Sequence, residues 1–189
     1  MKRKPRKIIW ISGRCGYGKT ELANSVVREF RKKDKKNCKM DGKDFVDLLV
    51  KNLILHVPIE DIVSQFQNYD LLVLDDIDYA LMGKPKTQEH MRKVINKIIN
   101  NNKTEVILIS QKRARKIRKL KFNSDECYYL RLKAPSEDFK KNIIKSWLKK
   151  EDFNIPIKKT GELINKSDNL FQLKGLFNKI KFSRKVKVI

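Results

Sequence analysis

The sequence predicts an α/β fold in which a five-stranded parallel sheet is followed by a small helical lid. Short apolar runs alternate with helix-like segments as far as Leu132, an order typical of a parallel sheet with helical crossovers. A glycine-rich stretch at residues 13–20 joins the first apolar run to the first helix-like segment. After Leu132 only helical periodicity is found, and this predicts the lid.

The first strand and the helices that follow it are predicted from periodicity. An apolar run at residues 8–11 predicts the strand, and apolar residues on one helical face predict a helix over 21–30. After a charged turn, residues 38–40 predict a second short strand. Helices are then expected over 43–55 and, after a proline, over 59–67.

The rest of the sheet is predicted from longer apolar runs. Four consecutive apolar residues at 71–74 predict a strand that is buried on both faces. A basic turn at residues 83–86 precedes Thr87, which is expected to cap the next helix. Residues 105–109 and 127–132 predict the fourth and fifth strands, with an almost wholly basic stretch between them.

The helical lid is predicted to contain three helices. Pro135 and Ser136 start the first, Ile164 and its neighbours indicate the second, and residues 170–180 indicate the third.

Length and composition limit the domain organisation. A chain of 189 residues that is 40% hydrophobic can bury one sizeable core with an appendage, but not two full domains. We expect a core over residues 1–133, a lid over 134–182 and a basic tail over 183–189. No apolar run approaches the ~20 residues of a membrane span, and the basic N-terminus lacks the features of a signal peptide. These features predict a soluble, cytoplasmic protein.

The charge balance indicates a polyanionic partner. The formal net charge is +23, from 45 Lys and Arg against 22 Asp and Glu, and binding to phosphates releases condensed counterions. A nucleic acid is the expected partner, and no basic amphipathic helix indicates a membrane surface. The alternative is that the lysines only solvate the surface.

The three cysteines do not form a recognisable framework. Cys15, Cys38 and Cys127 are odd in number and lack C-x-x-C spacing, which argues against disulfides and against a cysteine zinc site. We expect all three to be reduced, with Cys15 open to oxidation.

Residues 13–20 fill the P-loop (Walker A) pattern G-x-x-x-x-G-K-[ST]. Glycines allow successive amides to point inward, Lys19 is placed to bridge the terminal phosphates of ATP or ADP, and the Thr20 hydroxyl is placed to bind Mg²⁺. The alternative is an ordinary glycine-rich turn. The predicted nucleotide-binding residues are Gly13, Cys15, Gly16, Tyr17, Gly18, Lys19, Thr20 and Glu21.

Two acids follow the third strand, where open α/β sheets bind ligands. In a P-loop protein Asp75 is expected to hold Mg²⁺ (Walker B) and Asp76 to orient or deprotonate the attacking water. The alternative is that the pair caps a turn. Ser110 and Gln111, at the tip of the fourth strand, either approach the γ-phosphate or start the next helix.

Several stretches resemble motifs of one protein family. Residues 13–22 resemble G-x-x-G-x-G-K-T-x-L, residues 70–77 resemble D-x-L-L-I-D-D-I, and residues 83–89 resemble the more specific G-K-x-x-T-Q-E-E. Residues 134–138 resemble P-P-D-x-E-T, and residues 169–175 resemble N-x-R-E-L-E-G. Over nearly its whole length the chain resembles the AAA+ ATPase domain of the bacterial replication initiator DnaA and its shorter relatives.

The resemblance implies roles for individual residues. Lys19 and Thr20 would hold phosphate and metal, Asp75 would coordinate Mg²⁺, and Asp76 would take the place of the catalytic acid. Positions that contact single-stranded DNA in the initiators correspond to Val46 and Lys86. The alternatives are that Val46 is plain core and that Lys86 is merely solvated.

The chain also departs from the family pattern. Phe171 stands where the lid motif has a nucleotide-sensing arginine, and Gln111 replaces an acid. No arginine-finger segment is recognisable around residues 121–123. We expect neither a helix-turn-helix domain after the lid nor the family's N-terminal modules, and therefore no sequence-specific origin binding.

The first functional hypothesis is a DnaA-like ATP-binding switch in DNA replication initiation or its regulation. Its partners would be single-stranded DNA, replication proteins or further copies of itself, and ATP hydrolysis would be slow or partner-dependent. The alternatives are a basic nucleic-acid-binding regulator that hydrolyses nothing and, third, a small-molecule kinase.

Overall fold

The computed structural model describes residues 8–100, 104–111 and 127–185. Five strands lie in these residues: β1 (Ile8–Ser12), β2 (Asn37–Asp41), β3 (Leu71–Asp75), β4 (Glu105–Ser110) and β5 (Cys127–Arg131). The helices are α1 (Lys19–Lys32), α2 (Gly42–Ile54), α3 (Ile59–Ser64), α4 (Asp78–Met82), α5 (Pro85–Asn100), α6 (Glu137–Glu151), α7 (Ile157–Asn165) and α8 (Leu170–Lys185). The predicted basic stretch before β5 lies outside the described residues.

All five strands run parallel in the order β2-β3-β4-β1-β5, which confirms the predicted sheet. The middle strands are buried on both faces, which explains their unbroken apolar runs. Leu71, Leu72, Val73 and Leu74 are each at most 1% exposed. Burying a side chain of this kind contributes roughly 1.5–3 kcal/mol.

Contacts divide the chain into two units. The first is made of Met1–Gly13 and Lys19–Leu132, and the second of Arg14–Gly18 and Lys133–Ile189. The boundaries of core, lid and tail given above stay a prediction.

The start of α5 corrects one expectation. The helix begins at Pro85, so Thr87 is its third residue and not its cap. Proline suits the first turn of a helix because its φ is preset and its missing N–H has no intrahelical acceptor there. The Gln88 side chain closes this turn by donating from Nε2 to the carbonyl oxygen of Gly83 at 2.8 Å.

Three further elements differ from the predictions. Helix α4 was not predicted, because a helix of five residues is too short to show a period. Helix α3 ends at Ser64, earlier than predicted. Helix α8 runs on through Lys185, so residues 183–185 of the predicted tail are helical.

The second unit has its own small core. Helices α6, α7 and α8 enclose Ile144, Leu163, Ile164, Leu173 and Phe177, all of which are buried. Ser136 caps α6, as predicted, by accepting a hydrogen bond from the Phe139 amide at 3.2 Å.

A buried lysine donates hydrogen bonds to backbone carbonyl groups at the C-terminal end of α7. Lys140 is 7% exposed, and its Nζ donates to the carbonyl oxygens of Ile164, at 3.3 Å, and of Ser167. A cation in this position adds a hydrogen bond to the carbonyls at the end of the helix and interacts favourably with the helix dipole.

Within the described residues, none of the helices combines the length and apolar character needed to cross a membrane.

Gly161→Ala is expected to stabilise the protein. A Cβ atom at Gly161, in the interior of α7, would meet nothing within 4 Å. Alanine should therefore raise the free energy of unfolding by about 0.5–1 kcal/mol, because glycine loses more backbone entropy in a helix. Urea unfolding followed by circular dichroism measures the change, and an unchanged or lower value would contradict the prediction.

Candidate nucleotide-binding site

The glycine-rich stretch begins where β1 ends. The Gly13 amide donates to the Ser110 carbonyl oxygen at 3.3 Å, continuing the pairing of β1 with β4. A Cβ at Gly13 would lie 3.0 Å from the carbonyl oxygen of Leu132, so the chain is close-packed as it leaves the sheet.

The middle of the loop depends on two glycines in the left-handed region. Gly16 has φ +76° and Gly18 has φ +87°, values that residues with a Cβ rarely adopt. The Tyr17 amide donates to the Arg14 carbonyl oxygen at 3.4 Å, which closes a tight turn. The Cys15 thiol is free and exposed on this turn.

The N-terminus of α8 contacts this loop within the second unit. The Leu170 amide donates to the Gly16 carbonyl oxygen at 2.9 Å, and a Cβ at Gly16 would lie 2.6 Å from Asn169 Oδ1. Asn169 also accepts from the Gln172 amide at 2.9 Å, as a helix N-cap does. Phe171, at the position of the family's arginine, is 78% exposed.

Helix α1 begins with Lys19, which is nearly buried, followed by the exposed Thr20 and Glu21. The first amides of a helix lack intrahelical acceptors and favour anions. The loop and this helix start therefore offer backbone donors, an ammonium and a hydroxyl along one short stretch of chain.

Asp75 ends β3 and Asp76 follows it, and the two side chains have different surroundings. The Oδ1 atom of Asp75 accepts from the Asp76 amide at 3.0 Å, and its Oδ2 lies 3.5 Å from Lys39 Nζ. Asp76 is exposed and has φ +51°, which a non-glycine residue adopts only at some cost. Its side chain is therefore presented from a constrained backbone.

The backbone around these acids is packed against the start of α2. A Cβ at Gly42 would lie 2.7 Å from the Asp76 carbonyl oxygen and 2.8 Å from Ile77 Cα. The parallel register of β2 and β3 places Asp41 beside Asp75, immediately before this contact.

Ser110 and Gln111 each contact a residue distant in sequence, and the chain after Gln111, where the alternative expectation places a helix, lies outside the described residues. Ser110 is fully buried, and its Oγ accepts from Trp10 Nε1 at 2.8 Å. The Gln111 amide donates to the buried carboxylate of Asp78. Neither Trp10 nor Asp78 was identified from the sequence, since no local pattern marks a partner so distant along the chain.

The electrostatics of Asp76 are unusual. Partial burial raises the pKa of its carboxyl above the ordinary value, and the carboxylates of Asp78, Asp41 and Asp75 raise it further. Lys19 opposes these effects. Carboxyls with raised pKa values in clefts are candidates for proton transfer.

The two predicted nucleic-acid residues differ in exposure. Val46 is 6% exposed and packs in the main core, which favours the core alternative. Lys86 is exposed in the first turn of α5. The arginines considered for an arginine finger lie outside the described residues.

The donor set fits Mg²⁺. The Thr20 hydroxyl and the Asp75 carboxylate are oxygen donors of the kind that Mg²⁺ takes, since Mg²⁺ is commonly held by one or two protein groups together with phosphates and water. The described part of the chain has no group of three or more His, Cys, Asp or Glu arranged for a metal.

A P-loop after the first strand of this parallel sheet, with paired acids at the end of β3, defines an AAA+ type P-loop protein. Residues 4–127 match the family model of the bacterial DnaA ATPase domain, and the chain belongs to that family.

The relatives agree with this assignment. The chain is 26% identical over 182 residues to the chromosomal replication initiator protein DnaA of Helicobacter pylori (strain P12), a match that covers 93% of this chain. It spans 39% of the length of that relative.

Two solved structures share the fold. AMPPCP-bound DnaA from Aquifex aeolicus matches with a TM-score of 0.77 and 24% identity, over 92% of this chain and 54% of that one. Replication initiator DnaA bound to AMPPCP and single-stranded DNA matches with a TM-score of 0.78 and 22% identity, over 97% and 60%.

Gly42→Ala is expected to destabilise the protein by about 1–3 kcal/mol, because the added methyl group meets backbone atoms that cannot rotate away. Helix propensity alone would favour alanine, so a loss isolates the steric effect. Urea unfolding measures it, with Gly161→Ala as the matched control of opposite sign. A gain in stability at Gly42 would contradict the close approach.

Asp76→Asn is expected to stabilise the protein at neutral pH. A raised pKa means that folded Asp76 keeps its proton where the unfolded chain has lost it, so stability falls as the pH rises through that interval. Asparagine cannot ionise and tolerates a left-handed φ, so the variant escapes this loss.

Thermal unfolding at a series of pH values tests this. The gain should be present at pH 7 and disappear below the ordinary aspartate pKa of about 3.9. Asp34→Asn is the control, because Asp34 also has a left-handed φ (+52°) but lies in the turn after α1. An equal pH-dependent gain in stability for Asp34→Asn would contradict the attribution of the Asp76 effect to its burial and to the carboxylates of Asp78, Asp41 and Asp75.

Proposed function

We propose that this chain is an ATP-binding module of the DnaA type that acts as a nucleotide-dependent switch in DNA replication initiation or its regulation. The observation that carries the proposal is the P-loop between β1 and α1 in the same chain as Asp75 and Asp76 at the end of β3. Membership of the DnaA ATPase family supports it and disfavours the kinase alternative.

The residue roles follow from chemistry. The amides of Cys15, Gly16 and Gly18 hold phosphate oxygens, and Lys19 pairs with the terminal phosphates. Gly13 and Tyr17, whose amides donate to Ser110 and Arg14, shape the loop around the phosphates. Thr20 and Asp75 hold Mg²⁺, which neutralises phosphate charge when it is bound. Glu21 completes the nucleotide-contacting segment.

Asp76 orients or deprotonates the water that attacks the γ-phosphate. Its raised pKa and the four surrounding charges support this role, because a base works best when its pKa approaches the working pH. Asp76→Asn would then leave ATP binding intact and remove turnover.

A second function, nucleotide binding without hydrolysis, is favoured by Phe171. An exposed phenylalanine at this position offers no charge to a phosphate, whereas the family motif has an arginine there. The bound nucleotide would then mainly stabilise the folded state.

Single-stranded DNA is the proposed macromolecular partner, with replication proteins or further copies of the chain as the other candidates. The net charge of +23 and the exposed Lys86 support a phosphate-binding surface. Replication initiator DnaA, which shares the fold, binds single-stranded DNA together with AMPPCP in its solved structure. The contact of Val46 with DNA stays a prediction, and the proposed location is the cytoplasm.

Binding of a fluorescent ATP analogue tests the first half of the proposal. Lys19→Ala should reduce affinity at least roughly a hundredfold, because the terminal phosphates lose a charge-assisted contact. Lys32→Ala is the control, since Lys32 pairs with Glu29 at 2.7 Å on the exposed side of α1. Equal affinities for the wild type and Lys19→Ala would end the proposal.

Fluorescence anisotropy of a labelled single-stranded oligonucleotide, at one near-physiological salt concentration, tests the second half. Tighter binding with ATP and Mg²⁺ than with ADP or no nucleotide supports a switch, and Lys86→Ala should weaken binding more than Lys32→Ala does. Equal affinity with ATP and Mg²⁺, with ADP and without nucleotide would contradict the switch, and would attribute DNA binding to the net positive charge of the protein alone.

A further inference from the structure

Lys39, in strand β2, forms an ion pair with Asp75 that could not be predicted from the P-loop motif or from the paired acids. Its Nζ lies 3.5 Å from Asp75 Oδ2 and 2.9 Å from Asn24 Oδ1 in α1. The ammonium is therefore held between the helix that starts with Lys19 and the carboxylate assigned to the metal.

This ion pair differs from the others in the described residues. The Asp75 side chain is 18% exposed, and no other acid among those pairs is less than 32% exposed. Exposed pairs contribute little because water screens them. The partial burial of Asp75 makes its charge more costly to leave unpaired.

Both oxygens of Asp75 have partners within the protein. Oδ1 accepts the Asp76 amide, and Oδ2 faces the Lys39 ammonium. The second contact, with Asn24, places the Lys39 ammonium between α1 and Asp75, although the lysine side chain itself is exposed.

We propose that Lys39 is the resident counter-cation of Asp75 and sets how strongly the nucleotide site depends on a divalent metal. Mg²⁺ and the Lys39 ammonium compete for the same Asp75 oxygen, so Lys39 lowers the affinity of the site for metal. When no metal is bound, the ammonium balances the negative charge of the Asp75 carboxylate. The inference deepens the proposed function and rests on it, since it takes Asp75 as the metal carboxylate. Lys39 is a positioning residue that acts through Asp75.

The first test uses nucleotide-free protein and Mn²⁺ as a paramagnetic probe. Binding at Asp75 broadens the NMR signals of the Asp75 and Asp76 amides, and the Mn²⁺ concentration that gives half broadening is measured. In Lys39→Met this midpoint should fall roughly two- to fivefold, as expected for losing one partly screened charge. Lys32→Met is the control, because it removes an exposed lysine from an ion pair elsewhere on α1.

Further variants keep the test decisive. Lys39→Gln replaces Lys39→Met if the latter does not give a folded spectrum. Asn24→Ala removes the second contact of Lys39 but keeps the charge, and it should shift the midpoint in the same direction by a smaller factor. Equal midpoints in the wild type and the Lys39 variants, or no broadening at Asp75 in the variants, would overturn the proposal.

The second test measures the affinity of the fluorescent ATP analogue with and without Mg²⁺. The ratio of the two affinities should be larger in Lys39→Met than in the wild type and Lys32→Met, and an unchanged ratio would also overturn the inference. If the wild type binds no nucleotide, the proposed function fails, while the Mn²⁺ midpoints still decide the role of Lys39.

Discussion

Close backbone packing at the carboxyl edge of the sheet is the constraint on which the acid half of the candidate site depends. Gly42 leaves no room for a methyl group beside residues 75–77. The Ile77 amide donates to the Ile109 carbonyl oxygen at 2.9 Å, and the Gln111 amide donates to Asp78. The segments that follow β2, β3 and β4 are thus joined mainly through main-chain groups. The carboxylates of Asp75 and Asp76 are positioned before any ligand arrives, which is how a site avoids reorganisation when it is used.

The fold was largely predictable because its signals are local. Residues 71–74 are uniformly apolar because both faces of β3 are covered, and this produces a pattern that a surface strand does not have. The P-loop needs particular residue types at fixed spacing, so it too is visible in the sequence. The predicted start of α5 was wrong. Thr87 precedes a series of apolar residues with helical spacing and therefore suggested an N-cap, but the helix already begins at Pro85, two residues earlier.

The candidate site was only partly predictable, because several of its contacts join distant parts of the chain. Trp10 contacts Ser110 and Lys39 contacts Asp75 between neighbouring strands of the sheet, and neither contact leaves a pattern in the surrounding residues. The sequence signal available for Lys39 was its charged side chain within the short strand β2, two positions before Asp41. Val46 shows a different limit, since transferring a role by motif position does not test whether the side chain reaches solvent, and its contact with DNA stays a prediction.

The order of strands has a consequence for how the chain acquires its structure. Strand β1 lies between β4 and β5, so Ile8 is opposite Val106 and Cys127, roughly a hundred residues later. Helices α6 to α8, by contrast, pack against close neighbours in the sequence. During synthesis from the N-terminus the first strand has no partner until most of the first unit has left the ribosome. The glycine-rich sequence is therefore synthesised long before the strand that precedes it can pair with β4 and β5 and hold the loop in its folded position.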